Sequence, residues 1–206
     1  MIKYILVFLL LPIELAAQPS VNKTIQTGDL LFQHLDCGPL CDAIETVTEG
    51  YHHQKFSHIG LAYIKNDSVY IIEAIRKDVH LTPVQTFIQR TSNSTVIGRL
   101  KRKYRHLIPA AIQAALHELG TSYDDAFIYN NGKYYCSELM YDAFKKANKE
   151  KPFFTLEPMT FKDPQTHFFF PAWVDYYKAL NIDIPEGAPG INPGGISRSN
   201  KIKILH

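Results

Sequence analysis

The sequence predicts an α+β fold, a layer of helices against a small antiparallel sheet. Three observations carry that prediction. A hairpin pattern runs from His58 to Ile75, an amphipathic helical repeat starts at Cys136, and shorter apolar runs lie between turn signals with no internal repeat. The chain has 206 residues, 46% of them hydrophobic and 20% charged, enough for one globular domain with a real core. The formal net charge is +2 and the basic residues are dispersed, which leaves no electrostatic footprint for nucleic-acid binding.

In chain order, MIKYILVFLLLPIELAAQPS reads as a signal peptide. Lys3 forms the n-region, 4–13 the apolar h-region, and Leu15-Ala16-Ala17 a small-residue cleavage site. This predicts removal of residues 1–17 and an exported domain over 18–206; the alternative is a buried N-terminal helix. The apolar run is too short for a transmembrane anchor, and no cysteine follows the cleavage site to carry a lipid. Residues 28–33 read as a first strand, and 39–49 as a helix started by Pro39 and stopped by Gly50. Strands 58–64 and 69–75 flank a Lys-Asn-Asp-Ser turn. Thr82 and Pro83 read as the N-cap and first turn of a short helix. Another strand is expected over 95–100, and an alanine-rich helix over 109–119, closed by Gly120. From Cys136, apolar residues at 136, 139, 140, 143, 144 and 147 give the 3.6-residue repeat of a helix packed on a core. Glu138 in its first turn and Lys145 and Lys146 in its last suit the helix dipole. The tail from Pro171 is aromatic, then Pro/Gly-rich, and reads as a wrapping loop or a partly mobile arm.

The chain carries three cysteines. Export favours disulfides, and Cys37 and Cys41, four apart, fit a bridge. Free thiols are one alternative. A metal site with Asp36, His52 and His53 is another, although the spacing matches no familiar zinc pattern. Cys136 is then left over, at a helix N-terminus where the dipole and unpaired N–H groups favour thiolate and can hold an oxyanion. A nucleophilic thiol needs a base, and the base an orienting partner. His58 opens an apolar strand instead of lying in a polar loop. With Asn66-Asp67 at the hairpin tip, Lys65 faces Ser68 and Gly60 faces Glu73. Glu73 then lies diagonal to His58 on one face, roughly 7–8 Å away between backbones. A three-residue turn would send Glu73 to the other face. A carboxylate among apolar neighbours needs such a partner.

Thr27-Gly-Asp-Leu-Leu-Phe, Ser57-His-Ile-Gly-Leu and Tyr135-Cys-Ser-Glu-Leu, in that order, resemble the permuted papain-like amidases of the NlpC/P60 superfamily, and most closely the YiiX/YebB-like group. The likeness spans about two thirds of the chain after residue 17, from Thr27 to Asn148. It implies a circularly permuted papain-like fold in which the histidine precedes the cysteine. It also implies Cys136 as nucleophile, His58 as general base and then acid, and Glu73 as the third, orienting residue. The backbone N–H of Cys136 would donate to the oxyanion, and Tyr123 and Tyr135 would wall the substrate cleft, with plain packing as the alternative. The expected substrate is a small peptide or amino-acid amide, such as a peptidoglycan fragment, met in the periplasm or outside the cell with no cofactor. Relatives acting on lipid acyl groups keep an ester or thioester hydrolase or transferase open. A non-catalytic binding module or a metal-binding protein are the remaining readings.

Overall fold

The computed structural model describes residues 25–205; the predicted signal peptide lies outside them. In order, the elements are β1 (Leu30–Gln33), α1 (Pro39–Val47), β2 (His58–Lys65), β3 (Ser68–Ile75), β4 (Asp78–Pro83), α2 (Val84–Ile88), β5 (Val96–Leu100), α3 (Ile108–His117), α4 (Cys136–Ala147), β6 (Glu157–Pro158), α5 (Pro171–Leu180), β7 (Pro189–Gly190), α6 (Pro193–Ser197) and β8 (Ile202–Leu205). Six strands form one sheet in the order β4-β3-β2-β1-β5-β8, and every neighbouring pair is antiparallel. β6 and β7 pair separately. Among the described residues no helix is long and apolar enough to cross a membrane.

The central strands read as near-continuous apolar runs because both faces of the sheet are covered. On one face Leu30, Phe32, Ile59, Leu61 and Ile72 pack with Ala111 and Ala115 of α3 and Leu139, Met140 and Phe144 of α4. On the other, Leu31, Ala62 and Ile71 pack with Val84 and Phe87 of α2. A third cluster joins Ala43 of α1 to Trp173 and Tyr177 of α5 through Phe161.

The β2–β3 hairpin takes the register its turn dictates. Asn66 and Asp67 both have positive φ (49° and 60°), as a two-residue primed turn requires. Lys65 pairs with Ser68 and Leu61 with Ile72. Gly60 is obligatory for a packing reason: a Cβ there would collide with Ile71 and come within 3.3 Å of Phe87 and 3.4 Å of the Glu73 Cβ.

Two stretches differ from their sequence reading. Thr82 and Pro83 end a strand, β4, instead of starting a helix. α2 begins at Val84 with Pro83 at its N-cap position, which has no side-chain group to cap it, and the Thr82 hydroxyl is engaged by Glu73. Pro83 is tolerated because β4 is an edge strand, where a missing donor breaks no ladder on its open side. The C-terminal arm is built into the fold. Trp173 and Tyr177, four apart on α5, bury against Phe161. The Asn192 side chain caps α6 by accepting the Gly195 N–H at 2.6 Å. β8 then closes the sheet against β5.

Gly60→Ala should lower stability by about 2 kcal/mol through overpacking, measured by urea unfolding. A variant as stable as the parent would show that the Ile71–Phe87 layer yields more easily than its spacing implies.

Candidate active site

α4 starts at Cys136, preceded by Tyr135 in extended backbone (φ −90°, ψ 168°) with no side-chain cap. The helix therefore presents its first N–H groups, and the positive end of its dipole, around the sulfur. Cys136 is a free thiol, buried at 6% exposure. α4 covers one face of the sheet, and its first residue meets His58 at the end where β2 begins.

His58 is 3% exposed. Its Nε2 lies 2.5 Å from Glu73 Oε2, which leaves Nδ1 for the hydrogen bond with the Cys136 sulfur. The Phe87 ring, with its centroid 5.9 Å away, walls the imidazole. Burial alone would push the His58 pKa down. The hydrogen bonds and electrostatic attraction to Cys136 and Glu73 outweigh burial and raise it to about 9.

Glu73 has no solvent exposure, yet its acceptor sites are well used. Arg90 grips it with both ends of the guanidinium, Nη1 to Oε2 at 2.8 Å and Nη2 to Oε1 at 2.7 Å. Thr82 donates its hydroxyl to Oε1. Burial pushes this carboxyl up, but the Arg90 and His58 bonds and charges hold it well below the usual carboxylate range.

The sequence did not point to Arg90 or Thr82. Arg90 follows a five-residue helix with no motif around it. Thr82 carried a signal that was read as a cap: Val79 and Leu81 alternate with His80 and Thr82, and Glu73 pairs with His80, so Thr82 lies two residues along on the Glu73 face. Glu138 also differs from expectation. It is fully buried and does not sit as a solvated dipole partner. Its Oε1 accepts the Asn130 N–H at 2.8 Å, and burial raises its pKa to about 8. The carboxylate of Asp124 accepts the Ala126 and Ile128 N–H groups at 3.0 and 2.7 Å. Together the two acids tie down the loop that carries Phe127.

Cys136 and His58 open onto a cavity of about 550 Å³, walled by Leu40, Ile44, Phe127, Met159, Phe161 and Trp173. Tyr123 and Tyr135 both line it. The Tyr135 hydroxyl is taken by the Ile191 N–H at 3.2 Å, so this side chain also holds the segment between β7 and α6. Cys37 and Cys41 are joined in a disulfide at the cavity wall, with Cα atoms 5.3 Å apart. That bond removes both thiolates from the alternative metal set. Of its other members, His52 stacks on Tyr51 at 4.1 Å and His53 pairs with Glu49 at 2.7 Å. Among the described residues no group of three or more His, Cys, Asp or Glu is placed to hold a metal ion.

A family model described as permuted papain-like amidase enzyme, YaeF/YiiX, C92 family, matches residues 24–206. The chain is 28% identical over 138 residues to an uncharacterized protein, YiiX, of Escherichia coli (strain K12). That match covers 65% of this chain and 64% of the relative, so the chain spans less than two thirds of the relative's length. The fold resembles the crystal structure of the metalloprotein YiiX from Escherichia coli O157:H7. The TM-score is 0.69 at 22% identity, over 88% of this chain and 96% of the other.

Arg90→Ala should destabilise the fold by about 3 kcal/mol, because it leaves a buried carboxylate without its main partner. Adding Glu73→Gln should recover much of that loss. Denaturant unfolding of both single variants and the double variant measures the coupling; additive losses would mean that Arg90 stabilises through packing alone.

Proposed function

This chain belongs to the permuted papain-like amidase family, and on that premise we propose that it is an exported cysteine hydrolase that cleaves an amide bond through an acyl-enzyme. Membership supports the cysteine amidase or peptidase type. The observation that carries the rest is the continuous relay from Arg90 through Glu73 and His58 to Cys136.

The chemistry follows from that relay. The sulfur, paired with the His58 imidazolium, attacks the carbonyl carbon. The backbone N–H of Cys136 donates to the oxyanion. The proton on His58 passes to the amine as the C–N bond breaks, leaving an S-acyl enzyme. His58, now neutral, takes a proton from water as the hydroxide oxygen adds to the thioester, and the acid leaves with Cys136 restored. Glu73 fixes the imidazole so that Nδ1 faces the sulfur, and it balances the charge on the ring. The logic is that of the Ser-His-Asp triad with sulfur in place of oxygen.

A cell-wall peptide or related amino-acid amide is the substrate that the family resemblance suggests. Export rests on the N-terminal sequence and agrees with a disulfide between Cys37 and Cys41. The apolar cavity favours a second reading, in which the same relay releases an apolar acyl group from an ester or thioester. Two substrate series separate the readings: peptide amides of rising polarity, and p-nitrophenyl esters of rising chain length. A kcat/KM that climbs with ester chain length while amides stay inert would favour acyl release.

A carbonyl electrophile followed by mass mapping should label Cys136, and Cys136→Ala should abolish turnover with the fold intact. Activity above about a tenth of the parent would remove the sulfur from the reaction. His58→Ala should slow alkylation of Cys136; an unchanged rate would exclude a catalytic role for the imidazole.

The pH dependence has a definite sign. The His58 pKa of about 9 lies above its ordinary value of 6.5, so the fold favours the protonated ring. Its contribution to stability is complete below the unfolded value and is lost as pH rises through about 9. kcat/KM should fall over the same range as the general acid is lost. Glu73→Gln should bring that limb roughly one unit toward neutral. A basic limb unmoved by the substitution would show that another group sets it.

A further inference from the structure

Arg76 is an exposed cation on the lining of the reaction cleft. It lines the cavity that holds Cys136 and His58. It also lines a second, more open groove of about 400 Å³ with His80, Thr86 and Gln89, and the two spaces share Ile75, Arg76 and Arg90. Arg90 is committed to Glu73. No hydrogen bond or ion pair within the described residues engages the Arg76 guanidinium, and the residue is exposed. Its backbone is held close to the chemistry. Arg76 follows β3, the strand that supplies Glu73, and its neighbour Lys77 accepts the Tyr123 N–H at 2.9 Å.

The position is a poor one for arginine on backbone grounds. Arg76 sits at φ +58° in the tight turn between β3 and β4, where glycine or asparagine would rest with less strain. The turn therefore gives no conformational reason for this side chain. The charges around the cleft give one. Asp36 precedes α1, Asp125 lies two residues after Tyr123 and Glu157 begins β6, and all three line the same cavity. A substrate carboxylate is repelled from those three sites and attracted to Arg76, so the lining orients an anion as well as binding it.

Resting on the hydrolase reading of Cys136, we propose that Arg76 is the carboxylate-binding residue of a subsite at the junction of the two spaces. The substrate is then an amide whose amine half is an amino acid with a free carboxylate. Guanidinium and carboxylate meet in two parallel hydrogen bonds, a geometry that lysine cannot reproduce. This sets the direction of binding, with the carboxylate-bearing amine half toward the polar groove and the acyl half in the apolar cavity.

The test uses a matched pair, N-octanoyl-L-alanine and N-octanoyl-L-alaninamide, bound to the full-length Cys136→Ala protein and followed by calorimetry. The carboxylate member should bind at least roughly tenfold more tightly than the amide, the scale of one charge-assisted hydrogen-bond pair. Adding Arg76→Gln should erase that preference, and Arg76→Lys should keep only part of it. Arg76→Asn should also erase it while melting no lower than the parent, since asparagine suits the turn; this separates binding from folding. Equal affinity for the two members overturns the proposal, as does a preference that survives Arg76→Gln or a failure of the carboxylate member to bind. Alkylation of Cys136 in the parent is read separately. An inert thiol would sink the hydrolase reading, whereas a reactive thiol with no carboxylate preference would sink only the subsite.

Discussion

A carboxylate with no solvent exposure, that of Glu73, is the constraint around which the hairpin side of the molecule is organised. Burying it bare would be prohibitive, so every element nearby contributes a partner. β4 supplies the Thr82 hydroxyl, the segment after α2 supplies Arg90, and β2 supplies His58. Gly60 supplies absence: without a side chain there, Phe87 closes over the pair. The short helix α2 covers one face of the sheet and β4 forms one of its edges. Their positions make sense as the scaffold of one ionised group.

Charge alternates from Arg90 to Glu73 to His58, and the Cys136 sulfur ends this chain of contacts. The carboxylate between two cations is neutralised from both sides, so a series that would be unstable in pieces is stable as a whole. The division of labour follows sequence distance. Base and orienting acid come from one hairpin and meet through local pairing. The nucleophile arrives from α4, held on the far face of the sheet by Leu139, Met140 and Phe144. A local device and a long-range one meet at the end of β2.

How much of this the sequence disclosed depended on whether the signal was periodic. The hairpin register was legible in part: a two-residue turn at Asn66-Asp67 puts Glu73 beside His58, and the pairing of Lys65 with Ser68 decides against the three-residue turn that the sequence left open. The α4 repeat was legible from its period. Thr82 was misread because Thr-Pro suits both a helix start and the end of an edge strand, and only the partner across the sheet decides between them. Arg90 lies in a loop, and nothing in its neighbours says where a guanidinium points. The C-terminal segment was masked by its composition. Proline and glycine suggested looseness, while α6 used Pro193 at its first turn and Asn192 as its cap. Glu138 fits a dipole argument by position, and its burial became visible only once the 124–130 loop was seen folded over it.

Three cysteine sulfurs line the cavity, two of them bonded to each other. That bond decides which sulfur is chemically available, because a joined pair can neither ionise nor acylate. In an oxidising milieu the pocket therefore offers an electrophile a single thiol. In strong reductant it would offer three, of which Cys136 carries the hydrogen bond to His58. Redox conditions thus govern how selectively the cleft reacts, quite apart from how fast.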